Sequence, residues 1–235
     1  MRVAIVGMGR VGRSLAILLP AAGVDVVTCA RGERIPDADV FWVTVSDAAI
    51  GEVGAILPPS GIALHAAGGL GAKILGLRVE RGVCHPLMTF PGPEIRLPEL
   101  RGCAARVEGT AAALAIARRL AEALGMRPIE IAPGQIARYH AAAALASGHT
   151  AAVFALAVRT MTEAGVSDAD AASMLLPLTT ASLQRVAEAG PSALTGPAAR
   201  GDAATLARHA ELLAQQDATT YREISRLVAR LRGDV

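Results

Sequence analysis

The sequence predicts an α/β protein in two parts: an amino-terminal parallel sheet covered by helices, then an all-helical carboxyl-terminal domain. Three observations predict it. Over residues 1–132, short β-rich runs alternate with amphipathic stretches of helical period, the pattern of a wound parallel sheet. Between the first such run and the first helix stand three glycines spaced as GxGxxG, where a parallel α/β unit makes its tightest turn. After Pro133-Gly134 strand signals stop, and residues 133–235 read as helix throughout.

The elements follow in order. Arg2–Val6 is almost wholly apolar, as a strand buried on both faces must be. A helix is predicted over 11–22, with Pro20 distorting its last turn and Gly23 closing it. Residues 24–29, 40–45, Ile62–His65 and 82–84 read as further strands. Strands at 103–107 and 127–131 flank a helix over 110–124. Beyond the boundary at 132/133 the expected helices are 137–164, Asp168–Ala189, 202–215 and 217–232. Asp168 and Asp202 are read as N-caps, and Gly165 and Gly190 as stops.

Composition narrows the function. Half of the chain is hydrophobic (52%) but only 3% is aromatic, so the core has to come from small, closely packed side chains. A net charge of +2 with 19% charged residues argues against nucleic acid or an anionic membrane as the main partner. Cys29, Cys84 and Cys103 are odd in number and lack CxxC or Cys/His metal spacing, so reduced thiols, no metal and a cytoplasmic setting are expected. The chain starts directly on a strand, without a charged-then-apolar leader. Its most lipid-like stretch, 139–161, is rich in alanine and carries His140, His149 and Arg159, so no membrane span is expected.

The glycine triplet defines a dinucleotide site, Gly7-Met8-Gly9-Arg10-Val11-Gly12. Gly7 allows the turn, Gly9 admits the pyrophosphate, and Gly12 lets helix and strand approach; the helix N-terminus faces the phosphates. With a strand before it, a helix after it and a second strand following, the motif points to a Rossmann-like domain. The second strand ends Thr28-Cys29-Ala30-Arg31, where an NAD site would offer a carboxylate. A guanidinium there pairs with a 2′-phosphate, so Arg31, with Arg34 as second contact, favours NADPH. Glu33 is the dissenting residue: a loop shifted by two positions would make it a ribose ligand. Ser46 and Asp47 end the third strand beside the same crevice, although Asp47 also reads as a helix cap. The small residues of His65-Ala66-Ala67-Gly68-Gly69 would let a nicotinamide approach the backbone.

Four stretches together carry a family resemblance: the glycine loop, His85-Pro86-Leu87-Met88-Thr89-Phe90, Tyr139-His140-Ala141-Ala142, and Leu194-Thr195-Gly196-Pro197-Ala198-Ala199-Arg200-Gly201-Asp202. Over nearly its whole length the chain resembles the Rossmann-like proteins with a DUF2520 carboxyl-terminal domain. These are relatives of 6-phosphogluconate dehydrogenase, pyrroline-5-carboxylate reductase and ketopantoate reductase. The resemblance implies a helical domain that makes a homodimer, an active site between the two domains, and, as its best functional suggestion, an alternative ketopantoate reductase. It also shows a departure. The family tends to have Asn after the Ser of the first long helix, whereas this chain reads Ala146-Ser147-Gly148-His149.

Reduction of a ketone or imine needs a hydride donor and a group that stabilises or protonates the product atom. Lysine does this in better-known ketopantoate reductases, but the one lysine here, Lys73, lies in the Rossmann half. The candidates are therefore His140, Ser147 and His85, with Thr89, His149 and Arg200 as substrate contacts. His140 and Ser147 share a helix face two turns apart, and His149 points elsewhere. His140 is read as the proton donor; His85 could bind substrate or cofactor, or simply fix a turn. Arg200 suits a substrate carboxylate or a turn-stabilising pair with Asp202. The leading expectation is NADPH-dependent reduction of a small 2-oxo acid, ketopantoate first. An imine reductase of the pyrroline-5-carboxylate type and a non-catalytic NADP-binding regulator stand as alternatives.

Overall fold

A computed structural model describes residues 1–77 and 80–233. Two compact units divide it, Met1–Ser147 and Gly148–Val235. The expected boundary at 132/133 marks the end of the sheet; the division into units falls later, inside a continuous helical run. Asp234 and Val235, part of the expected helical domain, lie outside the described residues.

The first unit holds seven strands: β1 (Arg2–Val6), β2 (Asp25–Cys29), β3 (Val40–Val43), β4 (Ile62–His65), β5 (Arg81–Pro86), β6 (Ala104–Gly109) and β7 (Arg127–Ile129). They lie in the order β2-β1-β3-β4-β5-β6-β7. Neighbours run parallel, as expected, except that β5 and β6 are antiparallel. The exception has a local cause. A parallel return requires a crossover, usually a helix, but residues 87–103 contain Pro91, Pro93 and Pro98 and form none.

Alternate strand residues enter two different cores. Val3, Ile5, Trp42 and Leu64 face Leu15 and Leu19 of α1 (Arg10–Ala21) and Ala113, Ala117 and Leu120 of α3 (Ala111–Ala123). Ala4, Val6, Phe41 and Val43 face Ile50 of α2 (Ile50–Ile56) together with Leu57 and Leu75. Burial on both faces explains why these strands read as unbroken apolar runs. Trp42, the only tryptophan, is fully buried on β3, and its indole nitrogen has no hydrogen-bond partner. Gly23 follows α1 with φ +79° and closes it as expected.

The helix expected over 137–164 is interrupted. It comprises α4 (Ile136–Ala144), a π-helical turn (Leu145–His149) and α5 (Thr150–Glu163). The run Pro133–Glu163 has a mean hydropathy of 1.7 in its most apolar window and is long and apolar enough to cross a membrane, yet none of that window is buried in the chain. The second unit continues with α6 (Asp168–Ala189), α7 (Pro197–Arg200), α8 (Ala203–Leu212) and α9 (Gln215–Arg232). Asp202 caps α8 as expected, accepting from the Thr205 amide at 3.0 Å. The cap of α6 is Ser167 instead of Asp168, which is the first helical residue and sits favourably at the positive end of the dipole. Among the described residues, the buried apolar positions of this unit are four alanines: Ala171, Ala199, Ala210 and Ala218.

Candidate functional site

The dinucleotide crevice lies where the strand order reverses, between the ends of β1 and β3. Gly7 has φ +108°, and a Cβ on it would lie 2.6 Å from Val45 Cγ1. A Cβ on Gly12 would stand 1.9 Å from the Gly7 carbonyl oxygen. These two glycines are required by the protein itself. Gly9 is different, because a Cβ there would meet only the Thr44 oxygen, 3.9 Å away. Its bare backbone leaves room for something that is not protein. Thr44 secures the loop: its hydroxyl donates to the Gly7 carbonyl at 2.6 Å.

A cavity of about 870 Å³ opens on this loop, lined by Gly7, Met8, Gly9, Arg31, Glu33 and Ser46 among others. Of the expected cofactor residues, Arg10, Val11 and Gly12 lie behind it at the start of α1. Arg34 is exposed and does not line it. Glu33 directs one carboxylate oxygen back to the Ala30 amide at 2.7 Å, closing its own turn. Arg31 is left as the exposed cation at the lip. Ser46 also lines the cavity, and its hydroxyl makes no capping bond to the turn Asp47–Ala49. The lining therefore fits a dinucleotide: open backbone at Gly9, a helix N-terminus, and a guanidinium at the lip.

A second cluster forms at the ends of β4, β5 and β6. His65 is fully buried and satisfied on both ring nitrogens, accepting from the Ala67 amide at 3.1 Å and facing the Gly71 carbonyl at 3.2 Å. It shapes the loop 66–71. Arg106, directly opposite His85 in the antiparallel register, is also fully buried. Its guanidinium donates to the carbonyls of Ala67 and Leu70 in that loop and pairs with Glu108 at 2.7 Å. Glu108 in turn accepts from the Ala72 amide at 2.9 Å. A buried guanidinium and its half-buried carboxylate partner thus fix one glycine-rich loop.

Over that loop sit two of the predicted histidines. A Cβ on Gly68 would lie 2.8 Å from His85 Cε1 and Nε2 and 3.0 Å from His140 Cδ2; one on Gly69 would lie 2.9 Å from His140 Nδ1. His85 Nδ1 is 3.0 Å from the Tyr139 hydroxyl. Burial, reinforced by Arg106, His140 and His65, lowers His85 to a pKa of about 4. Burial also lowers His65 to about 4 and raises the Tyr139 phenol. Both imidazoles are accordingly neutral at neutral pH, when they act as one donor and one acceptor.

Among the described residues, Ser147 and Thr89 make no hydrogen bond to this cluster. Ser147 lies in the π turn and donates its hydroxyl to the Ala143 carbonyl at 2.7 Å. Thr89 is exposed beyond β5, and His149 and Arg200 are exposed in the second unit. Sequence reasoning missed Thr44, His65, Arg106, Glu108 and Tyr139 as working residues. One signal was available: Arg106 and Glu108, two apart in an otherwise apolar strand, must share a face and find partners.

Comparisons with known proteins bear on the fold. The family model described as a domain of unknown function, DUF2520, matches residues 103–228. A Bacteroides fragilis structure provisionally named an NADP oxidoreductase superposes with a TM-score of 0.85 at 21% identity, covering 97% of this chain and 98% of that one. A Thermotoga maritima protein gives a TM-score of 0.73 at 22% identity, over 99% and 98% of the two chains. The pyrroline carboxylate reductase of Plasmodium falciparum, solved with NADP bound, gives 0.63 at 12% identity, over 97% and 98%. At such identities the likeness shows a shared fold. Comparison with curated proteins returns no match.

Proposed function

The chain belongs to the DUF2520 family, and from that premise we propose that it is an NADPH-dependent oxidoreductase reducing a small 2-oxo acid, ketopantoate being the first substrate to test. The observation that carries the reading is Gly9: an open backbone on an 870 Å³ cavity with Arg31 at its lip. Structural likeness to a protein named for NADP oxidoreduction, and to a reductase solved with NADP, supports the same cofactor class. Bound there, the reduced nicotinamide supplies a hydride to the substrate carbonyl carbon.

The chain's own residues do the rest. Thr44 and Gly12 hold the glycine loop, Arg31 takes the 2′-phosphate, and the Arg106–Glu108 pair fixes the loop at Gly68-Gly69. His85 and His140 flank that loop and serve the oxygen that gains charge on reduction. Ser147, with its hydroxyl committed to Ala143, is the weakest of the expected catalytic residues. Thr89, His149 and Arg200 stand as substrate contacts, Arg200 for the carboxylate. An imine substrate needs a carboxylate beside its cation, and Glu108 is already engaged by Arg106 and the Ala72 amide; this favours the keto acid.

The chain is further proposed to work as a homodimer through its helical part. Four buried alanines make a thin core, while Val153, Met174, Leu176, Leu178 and Leu183 are exposed. Covering them is what a second copy would do.

The test titrates the purified protein with NADPH and NADH, then follows nicotinamide absorbance with ketopantoate, other 2-oxo acids and pyrroline-5-carboxylate. Tighter binding of NADPH, inverted by Arg31→Glu, and turnover with a 2-oxo acid that His140→Ala suppresses and Lys73→Ala spares, are the expected results. Binding without turnover would replace the enzyme with a regulator, and failure to bind either dinucleotide would overturn the whole reading.

A further inference from the structure

Tyr139 has no part in the reductase reading above, yet it holds the ring nitrogen that decides what His85 can do. Its hydroxyl lies 3.0 Å from Nδ1, with the two rings nearly perpendicular at 86° and their centroids 5.9 Å apart. A neutral imidazole carries one proton, and whichever nitrogen lacks it accepts. A phenol is a far stronger acid than a neutral imidazole N–H, so the phenol is the natural donor in this pair. That leaves the His85 proton on Nε2. The edge bearing Nε2 faces Gly68, where an added Cβ would lie 2.8 Å from the ring and displace it. Among the described residues Nε2 has no hydrogen-bond partner, and it is not sealed from solvent.

We propose that Tyr139 is a positioning residue: by donating to Nδ1 it fixes His85 with its proton on Nε2, the unbonded ring nitrogen beside Gly68, as the donor to the oxygen of a bound carbonyl substrate. The role of the acceptor oxygen rests on the reductase reading; the fixed tautomer does not. The groups facing the ring keep it uncharged. Arg106 on β6, His65 on β4 and His140 on α4 surround it, and each opposes a positive charge there. A neutral imidazole donor of this kind polarises a carbonyl without itself being a cation.

The proton balance is simple. With the reduced nicotinamide bound, hydride would add to the carbonyl carbon and the C=O electron pair would move to oxygen, to which His85 would give its Nε2 proton. The Tyr139 hydroxyl proton passes to Nδ1. On product release Nε2 takes a proton from water, and the Nδ1 proton returns to the phenolate. His140 is then left to contact substrate from the other side of Gly69.

The test begins on the protein alone, labelled with ¹⁵N-histidine and observed by two-bond ¹H–¹⁵N correlation between pH 6 and 8. His85, assigned by its loss in His85→Gln, is expected as the Nε2–H tautomer by about ten to one, the ratio one net hydrogen bond sustains. In Tyr139→Phe the preference should collapse, while in His140→Ala it should persist. An Nδ1–H tautomer in the wild-type protein overturns the proposal without any variant. So does a Tyr139→Phe spectrum with an unchanged tautomer. With a turned-over 2-oxo acid, Tyr139→Phe should lower kcat about tenfold or more at unchanged NADPH affinity, and kcat within twofold of wild type would overturn the catalytic part. A fixed tautomer with no turnover of any 2-oxo acid confirms the lock and refutes the substrate reading, so the two failures are distinct.

Discussion

A methyl group added at Gly12 would come within 1.9 Å of the Gly7 carbonyl, whereas one at Gly9 would meet nothing nearer than 3.9 Å. Gly12→Ala should therefore lower the melting temperature of the first unit and abolish dinucleotide binding together. Gly9→Ala should leave the melting temperature within about a degree while weakening NADPH by tenfold or more, about 1.4 kcal/mol. Thermal melts and cofactor titration on the two variants check both. His65 makes a prediction about acid. Its folded pKa of about 4 lies below the unfolded value of 6.5, so the unfolded state binds the extra proton first. Stability is full above pH 6.5 and falls as pH drops towards 4, by about 3 kcal/mol for this buried ring; His65→Asn should flatten that slope in urea melts. These residues differ in how they could be read. The glycines act through neighbours in the chain, so their spacing is enough. His85, Arg106 and Tyr139 act through partners set by strand register and helix docking, which no local pattern encodes.

On β6 the pairing of Arg106 with Glu108 sets the shape of a loop two strands away. Removing the guanidinium leaves the carbonyls of Ala67 and Leu70 without that donor and half-buried Glu108 with the Ala72 amide alone. Arg106→Met should cost about 3–5 kcal/mol in denaturant melts, and the double variant with Glu108→Gln should lose less than the two single losses combined. The π turn is the other element with a testable cost. Gly148 has a helical position, and an added Cβ would meet nothing within 4 Å, so Gly148→Ala should stabilise the helix by about 0.5–1 kcal/mol, read from the same melts. At this scale the sequence was largely legible. All seven strands were anticipated within a few residues; for the central ones burial on both faces leaves apolar runs, whereas the edge strands β2 and β7 are only partly buried. The antiparallel β6 was not, since the pattern of one strand says nothing about its direction. Nor was the π turn: the alanines at 141–144 and 146 fit either winding, and no proline or charge marks the change.

Taken as a whole molecule, the two units are built from different materials. The first has two cores of Val, Ile, Leu, Phe and Trp; the second buries alanines and leaves large apolar side chains in solvent. A dimer should therefore be tight, and sedimentation should show no monomer at micromolar protein. Val153→Asp combined with Leu178→Asp should yield monomer and reduce helicity, whereas a species extracted only by detergent would point instead to a membrane for the apolar run 133–163. The single tryptophan gives these experiments a built-in label. Trp42 lies in the dry core of the first unit, with its indole N–H unbonded, so its emission should be blue-shifted and should redden only when that unit opens. The second unit contains no tryptophan and is invisible at that wavelength. Far-ultraviolet ellipticity, by contrast, is dominated by helices. Recording both signals in one denaturation separates the melting of the two units without adding a dye or changing a residue.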